Sequence, residues 1–306
     1  MSAALSPIPV LRPGDTVAVV APSGPVPQGR LKAGLDLLST VFRLQVSSDI
    51  FREQEFLAGS DERRAEEFNT ALADPQVRAV WAARGGYGAS RILGDLDKSA
   101  MRRDPKVIVG FSDITALHCW AAQLGFQSMH APVVTQLGEL AASDCQWALD
   151  MLLGKLDGAL LAEDLRGPSP RNSAESCPKV EGRLIGGNLS LLAHLCGTEV
   201  APEYAGSLCI IEDIGEKNYA IDRYVTQLLA QKQGIGGASA VLLGDFTRCG
   251  PEGSSQKMLS TRFETLKIPW AAGLEVGHGT RNRAFPHGGM ASLEHGTLRL
   301  LAPLVA

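Results

Sequence analysis

The chain has no apolar stretch long enough to cross a bilayer. Runs such as Val17-Ala18-Val19-Val20-Ala21 fall far short of the ~20 residues a spanning helix needs. Nor is there a surplus of positive charge. Lys and Arg number 29 against 33 Asp and Glu, and the resulting charge of −4 argues against nucleic acid or an anionic membrane surface as a partner. The first residues, Met1-Ser2-Ala3-Ala4-Leu5-Ser6-Pro7-Ile8-Pro9, lack the basic start of an export signal, and their prolines interrupt any apolar segment. A cytoplasmic protein is expected. The six cysteines, at 119, 145, 177, 196, 209 and 249, show no C-x-x-C or other ligand spacing and read as reduced, mostly buried thiols. Also missing are the H-E-x-x-H of zinc hydrolases, the G-x-x-x-x-G-K of phosphate-binding loops and the G-x-G-x-x-G of dinucleotide sites, so neither metal nor cofactor is expected.

What is present describes an ordinary soluble globular protein, with 45% hydrophobic and 20% charged residues over a length that suits two domains or one large one. Glycine is plentiful, 33 of 306 residues against a usual share of about 7%, which fits many tight strand-to-helix turns. In the first half a β-branched run at 16–20 precedes Pro22-Ser23-Gly24-Pro25 and a helix marked by Leu31, Leu35 and Leu38. Ser60, followed by two acids, caps a second helix with Ala65, Phe68 and Leu72 on its buried stripe. A strand at 77–83 runs into Arg84-Gly85-Gly86-Tyr87-Gly88, and helical spacing resumes at Ala89, Ile92, Leu93 and Leu96. Another strand precedes Ser112, followed by a helix at 114–124, a short strand at 127–129 and a closing helix at 144–153. Such alternation implies a parallel sheet covered on both faces, with ligands at the carboxyl ends of its strands.

Those ends carry the chemistry. Lys106-Val107-Ile108-Val109-Gly110-Phe111-Ser112-Asp113-Ile114-Thr115 reads as a buried strand, a break at Gly110 and a helix beginning directly after Ser112. The serine on this turn is either a nucleophile beside the free N–H groups of a helix start or simply a helix cap. The G-x-S-x-G pattern that would decide between them is incomplete. Gly85-Gly86 falls on the same rim, and the Gly86 N–H is a natural oxyanion donor beside that of Asp113. The other readings of this turn are a phosphate-binding loop and a tight bend.

Residues 154–179 have no sustained period and are rich in Pro, Ser and Gly, so a linker and a domain boundary are expected there. Beyond it, a strand at 180–185 is expected to break at Gly186-Gly187-Asn188 before a helix with Leu189, Leu192 and Leu195. A buried strand at 208–211 ends in Glu212-Asp213-Ile214-Gly215-Glu216, where a carboxylate needs a partner because burying an unpaired charge is costly. A helix through Tyr219, Ile221, Tyr224 and Leu228 and a strand at 240–243 follow. His278 stands between Gly277 and Gly279, which leave its imidazole open to a substrate. His118, His130 and His287 are its rivals, while His295 belongs to the turn of a terminal hairpin at 290–300.

Taken together and in this order, Arg84-Gly85-Gly86-Tyr87-Gly88, Gly110-Phe111-Ser112-Asp113-Ile114-Thr115, Gly186-Gly187-Asn188-Leu189, Glu212-Asp213-Ile214-Gly215-Glu216 with Asp222-Arg223, and Gly277-His278 closely resemble the LD-carboxypeptidase family of serine peptidases. That family includes muramoyltetrapeptide carboxypeptidases and the self-immunity peptidases against microcin C. The likeness implies an α/β fold: an N-terminal, parallel-sheet, flavodoxin-like domain (1–153) with the nucleophile, the linker 154–179, and a C-terminal mixed α/β domain (180–306) with the acid and the histidine. It further implies Ser112 as nucleophile, His278 as base and Glu212 as the acid, although the sequence leaves Asp213 and Glu216 open. Backbone donors would come from Gly86 and Asp113, with no metal, no cofactor, and a cytoplasmic homodimer. The implied reaction is hydrolysis of the L,D amide that releases the terminal D-alanine of muropeptide tetrapeptides in wall recycling. The alternatives are cleavage of a peptidyl-nucleotide antibiotic of the microcin C type and, from another class, a non-catalytic nucleotide- or ligand-binding protein. Arg84 and Arg223 are candidates to hold a substrate carboxylate. Two departures stand out: His287 replaces a usually aliphatic residue, and Thr280-Arg281-Asn282-Arg283 is unusually basic.

Overall fold

The computed structural model describes residues 5–7, 9–156, 158–167 and 179–301. Its strands, in chain order, are β1 (Thr16–Val20), β2 (Arg43–Val46), β3 (Val77–Ala82), β4 (Val107–Gly110), β5 (Ser128–His130), β6 (Leu160–Ala162), β7 (Val180–Asn188), β8 (Leu208–Ile214), β9 (Ala240–Thr247), β10 (Trp270–Ala272), β11 (Phe285–His287), β12 (Met290–Glu294) and β13 (Thr297–Leu300). They form two sheets.

In the first sheet β2, β1, β3, β4 and β5 run parallel in that order, and β11 adds an antiparallel edge. This is the flavodoxin-like order, in which successive connections leave in opposite directions on either side of β1 and β3, so a crevice opens at their carboxyl ends. The turns after β1, β3 and β4 all face that crevice. Strand β2 escapes the sequence reading because it is an outer strand with three of its four residues exposed, and its apolar signal is correspondingly weak.

The helix Asp61–Ala73 begins as its sequence demands, with Ser60 Oγ accepting from the Arg63 N–H at 3.2 Å. It buries the expected Ala65, Phe68 and Leu72, and also Arg64, which has no solvent exposure. The Arg64 guanidinium donates to the carbonyls of Pro22 and Gly88 and pairs with Asp61, tying together the turns after β1 and β3. Gly88 is required there, since a Cβ at that position would lie 2.7 Å from Arg64 Nη1.

The second sheet has the order β10-β9-β8-β7-β12-β13-β6, parallel from β7 through β10 and antiparallel beyond. The expected break at Gly186-Gly187 does not occur. Both glycines stay in β7 at φ +121° and +134°, because a Cβ at 186 would lie 1.9 Å from the Ile210 carbonyl oxygen and one at 187 would lie 2.6 Å from Thr115 Oγ1. The pair serves close packing against β8 and against the helix that follows Ser112. Strand β8 likewise continues through Glu212 and Asp213, longer than its apolar run.

Residues 154–179 contribute β6 to the second sheet, and Arg166 and Ala272 exchange backbone hydrogen bonds; 157 and 168–178 lie outside the described residues. Strand β11 carries the rear of the chain back into the first sheet. The halves also share their apolar interior, Leu117 and Trp120 belonging to one cluster with Leu189 and Leu192. Among the described residues no helix is long and apolar enough to cross a membrane.

Candidate active site

Ser112 sits where β4 turns into a short 3-10 segment, Ser112–Ile114, which the helix Thr115–Gln123 continues. The expected helix thus starts as a tighter turn. Ser112 itself has φ +63°, a left-handed conformation that costs a non-glycine residue about 1–3 kcal/mol and recurs where a nucleophile is lifted off a strand end. The elbow is packed by glycines: a Cβ at Gly110 would lie 2.8 Å from Ile114 Cγ1, and one at Gly85 would lie 3.3 Å from Ser112 Oγ.

The Ser112 hydroxyl is directed at His278, whose Nε2 lies 3.0 Å away, rather than capping the helix that follows. The other ring nitrogen, Nδ1, is 2.7 Å from Glu212 Oε2. A buried carboxylate can only accept, so Nδ1 carries the proton and Nε2 is left to accept from the serine O–H. Glu212 has no solvent exposure, and its Oε1 has no hydrogen-bond partner among the described residues. Burial lowers the affinity of His278 for a proton, but the charge and hydrogen bond of Glu212, aided by Asp213, outweigh it, so the pKa is raised above 6.5.

The three acids left open by the sequence separate cleanly. Successive strand residues point to opposite faces, and the pairing of β8 with β9 shifts register between Ile211 and Asp213, an irregularity of the kind that re-aims a side chain. Glu212 meets the histidine. Asp213 turns away to accept from Asn188 Nδ2 at 3.0 Å and from the N–H groups of Ser190 and Ile214. Burial and the neighbouring Glu212 charge push its pKa up to about 7. Glu216 lies partly exposed beside Tyr224, where burial and then the Glu216 charge push the tyrosine hydroxyl up.

The glycines flanking His278 have a different use from the one their position suggests. A Cβ at Gly277, where φ is +129°, would lie 2.8 Å from Glu212 Oε2, and one at Gly279 would lie 2.2 Å from Asp245 Oδ2. They admit carboxylates against the loop backbone; they do not chiefly uncover the imidazole, which retains 14% exposure and packs against the Phe111 ring at 4.7 Å. The rival histidines are buried beneath the rim. His118 bonds Ser128 Oγ at 2.8 Å and the Gly110 carbonyl at 2.9 Å and stacks on His287, and His130 stacks on Phe285. Burial pushes the pKa of His118 down to about 4 and those of His130 and His287 down as well.

Gly86 occupies the turn after β3 at φ +112°, against Gly24, whose N–H bonds the Gly85 carbonyl at 3.1 Å. The Asp113 side chain, which the sequence reading did not use, accepts from the Ala89 N–H at 2.8 Å and so links this turn to the elbow. A cavity of about 520 Å³ opens between the halves, lined among others by Gly86, Tyr87, Trp120, Ser190 and His194. Arg84 donates to the Pro25 carbonyl on the rim, while Arg223 is exposed and stacks over the Tyr219 ring. Asp245, Asn282 and Arg248 were not legible as site residues. Arg248 follows β9 directly, exposed at φ +54°, and its charge works against protonation of His278. Among the described residues no group of three or more His, Cys, Asp or Glu is arranged to hold a metal ion.

Residues 17–131 match the model of the LD-carboxypeptidase N-terminal domain, and residues 181–293 that of the C-terminal domain. A putative carboxypeptidase of Streptomyces coelicolor is 39% identical over 96% of this chain and 95% of its own length. The murein tetrapeptide carboxypeptidase of Pseudomonas aeruginosa is 34% identical, covering 92% of this chain and 94% of its own. The crystal structure of muramoyltetrapeptide carboxypeptidase from Oxalobacter formigenes superposes with a TM-score of 0.75 at 29% identity, over 93% of this chain and 97% of that one.

Proposed function

This chain belongs to the LD-carboxypeptidase family, and we propose that it is a serine carboxypeptidase that removes the terminal D-alanine of muropeptide tetrapeptides during wall recycling. The observation that carries this reading is the continuous line of contacts from Ser112 Oγ through His278 to Glu212. In the proposed reaction His278 Nε2 takes the serine proton as Oγ attacks the carbonyl carbon of the L,D amide. The oxyanion of the tetrahedral intermediate is met by the N–H groups of Gly86 and Asp113, each such donor being worth ~2.7–4 kcal/mol. The C–N bond then breaks, His278 returns the proton to the departing amine, and D-alanine leaves. Water, deprotonated by the same imidazole, attacks the acyl ester and restores the serine. Glu212 holds the tautomer and stabilises the imidazolium.

A carboxypeptidase must also bind the free carboxylate at the end of its substrate. We assign this to Arg84, which stands on the same turn as Gly86. The relatives named for murein tetrapeptide cleavage support the choice of substrate. Incubation with a purified tetrapeptide muropeptide, followed by mass measurement, tests it: loss of one alanine by the wild type and none by Ser112→Ala is the expected result. Release of D-alanine by Ser112→Ala at the original rate would overturn it.

A further inference from the structure

His278 and Ser112 come from opposite halves of the chain, so their 3.0 Å contact depends on what holds residues 273–284 over the first sheet. That segment forms no strand or helix of its own. Its backbone bonds run to β9, from the Leu274 N–H to the Leu243 carbonyl at 3.3 Å and from the Asp245 N–H to the Val276 carbonyl at 2.9 Å, whereas its described ties to the front half use side chains. Asn282, with no solvent exposure, accepts from the Gly277 N–H through Oδ1 at 3.2 Å and donates through Nδ2 to Gln136 Oε1 at 3.1 Å. Its single amide therefore bridges the residue beside His278 and a residue of the front half. The Asn282 N–H approaches Asp144 Oδ2 at 3.3 Å, and Arg281 grips both oxygens of the same carboxylate at 2.8 and 2.7 Å. Asp144 is 1% exposed. Two residues further on, the Arg283 guanidinium lies 3.8 Å from the centre of the Trp147 ring, and Trp147 Nε1 donates to the Ala284 carbonyl at 2.9 Å.

We propose that Asn282, clasped to Gln136 and Asp144 and assisted by Arg281, is the positioning residue that sets His278 on Ser112. The basic run Thr280-Arg281-Asn282-Arg283 owes its character to this clasp: two of its cations meet the front half, one as a two-bonded ion pair and one on an aromatic face. Every one of these partners lies outside the reacting groups, and all of Gln136, Asp144 and Trp147 belong to the front half. The inference rests on reading Ser112, His278 and Glu212 as the reacting triad. Its physical basis is that displacing a reacting group by about 1 Å can cost on the order of 100-fold in rate.

The test reads the serine without any peptide substrate. A fluorophosphonate probe should label Ser112 of the wild type, and its second-order rate should fall tenfold or more in Asn282→Ala at a temperature where circular dichroism shows both proteins folded. The midpoint of the labelling rate against pH should also move down, since an imidazole shifted off Glu212 loses the charge and hydrogen bond that outweigh its burial. A residue needed only for stability would move neither reading. If Asn282→Ala does not fold, Gln136→Ala decides, because it removes only the tie of the Asn282 side chain to the front half and alters a partly exposed residue; it too should label more slowly. Lys32→Ala, which breaks the exposed Lys32–Asp36 pair within a single helix, should label at the wild-type rate. Labelling of the folded Asn282 or Gln136 variant within twofold of the wild type, with an unmoved midpoint, overturns the clasp. A wild type that resists the probe overturns the triad itself, a separate failure.

Discussion

The two sides of the candidate site are built in opposite ways. The serine side is local: an apolar strand, a glycine, and a strained residue at the head of a helix lie within a few positions of one another, and the main-chain path itself lifts the hydroxyl. The histidine side is assembled from a distance, with His278 on an irregular segment that is bonded to Glu212 and, through its own Asn282, to Gln136 and Asp144, all far from it along the chain. A reagent made by a turn needs few neighbours, whereas one made by a loop needs an external frame. That contrast predicts which substitutions abolish the reaction and which only misalign it.

The largest expected effect is at the local side. Ser112→Ala should lower kcat by about 10⁴-fold or more, measured as D-alanine released, with the fold intact by circular dichroism. Next comes Glu212→Gln, which keeps the shape but can present an N–H where Nδ1–H needs an acceptor. A loss of about 10⁴-fold in kcat with little change in KM is expected, and an unchanged kcat would separate Glu212 from the reaction. Gly277→Ala forces a Cβ to 2.8 Å from Glu212 Oε2 at a positive φ; we expect a destabilisation of about 1–3 kcal/mol in urea unfolding and a disproportionate fall in kcat.

Acid should divide the histidines by sign. His118 titrates at about 4 in the folded state against 6.5 unfolded. The unfolded chain therefore binds a proton that the folded chain refuses, and stability present above pH 6.5 is lost as the pH falls towards 4, by about 3 kcal/mol from this residue. His130 and His287 act in the same direction. His278, with its raised pKa, acts in the opposite one: its contribution to stability is present below 6.5 and fades as the pH rises through the folded value. Asp213, raised to about 7, acts like His278, so urea midpoints of the wild type and of His118→Gln at pH 7.5 and 5 isolate His118: the variant should lose less stability between the two than the wild type. Activity follows His278 alone, because the base must be neutral; kcat/KM should fall as the pH drops through a midpoint above 6.5. The smallest effect is expected at Arg84→Ala, a rise of about tenfold in KM at nearly constant kcat, equivalent to about 1.4 kcal/mol of substrate binding.

Much of the fold was legible because its signals are short-range. The apolar runs of β1, β3 and β4, the Ser60 cap and the stripe of Ala65, Phe68 and Leu72 all report conditions satisfied within a dozen residues. Strand β2 was not, since an exposed edge needs no apolar residues. Gly186-Gly187 misled because a glycine pair marks a break and a close approach equally well, and only the Ile210 carbonyl and Thr115 side chain show which it is. Ser112 and His278 stood out as candidates in unusual surroundings. Among Glu212, Asp213 and Glu216 the residues alone gave no preference, and that Glu212 is the one against His278 depends on the direction of each side chain on and beyond β8.

By itself, then, the sequence determined that alternating strands and helices form a covered parallel sheet, and that a serine, a histidine and a knot of acids stand at turns next to strand ends. Only the tertiary structure decided that β11 crosses back to the first sheet, that Asp113 and Asp144 spend their carboxylates on backbone and arginine, and that Asn282 ties the loop of one half to a helix of the other. The reason is range. A strand or a cap is settled by neighbours along the chain, but a hydrogen bond between residues 136 and 282 exists only after everything between them has packed.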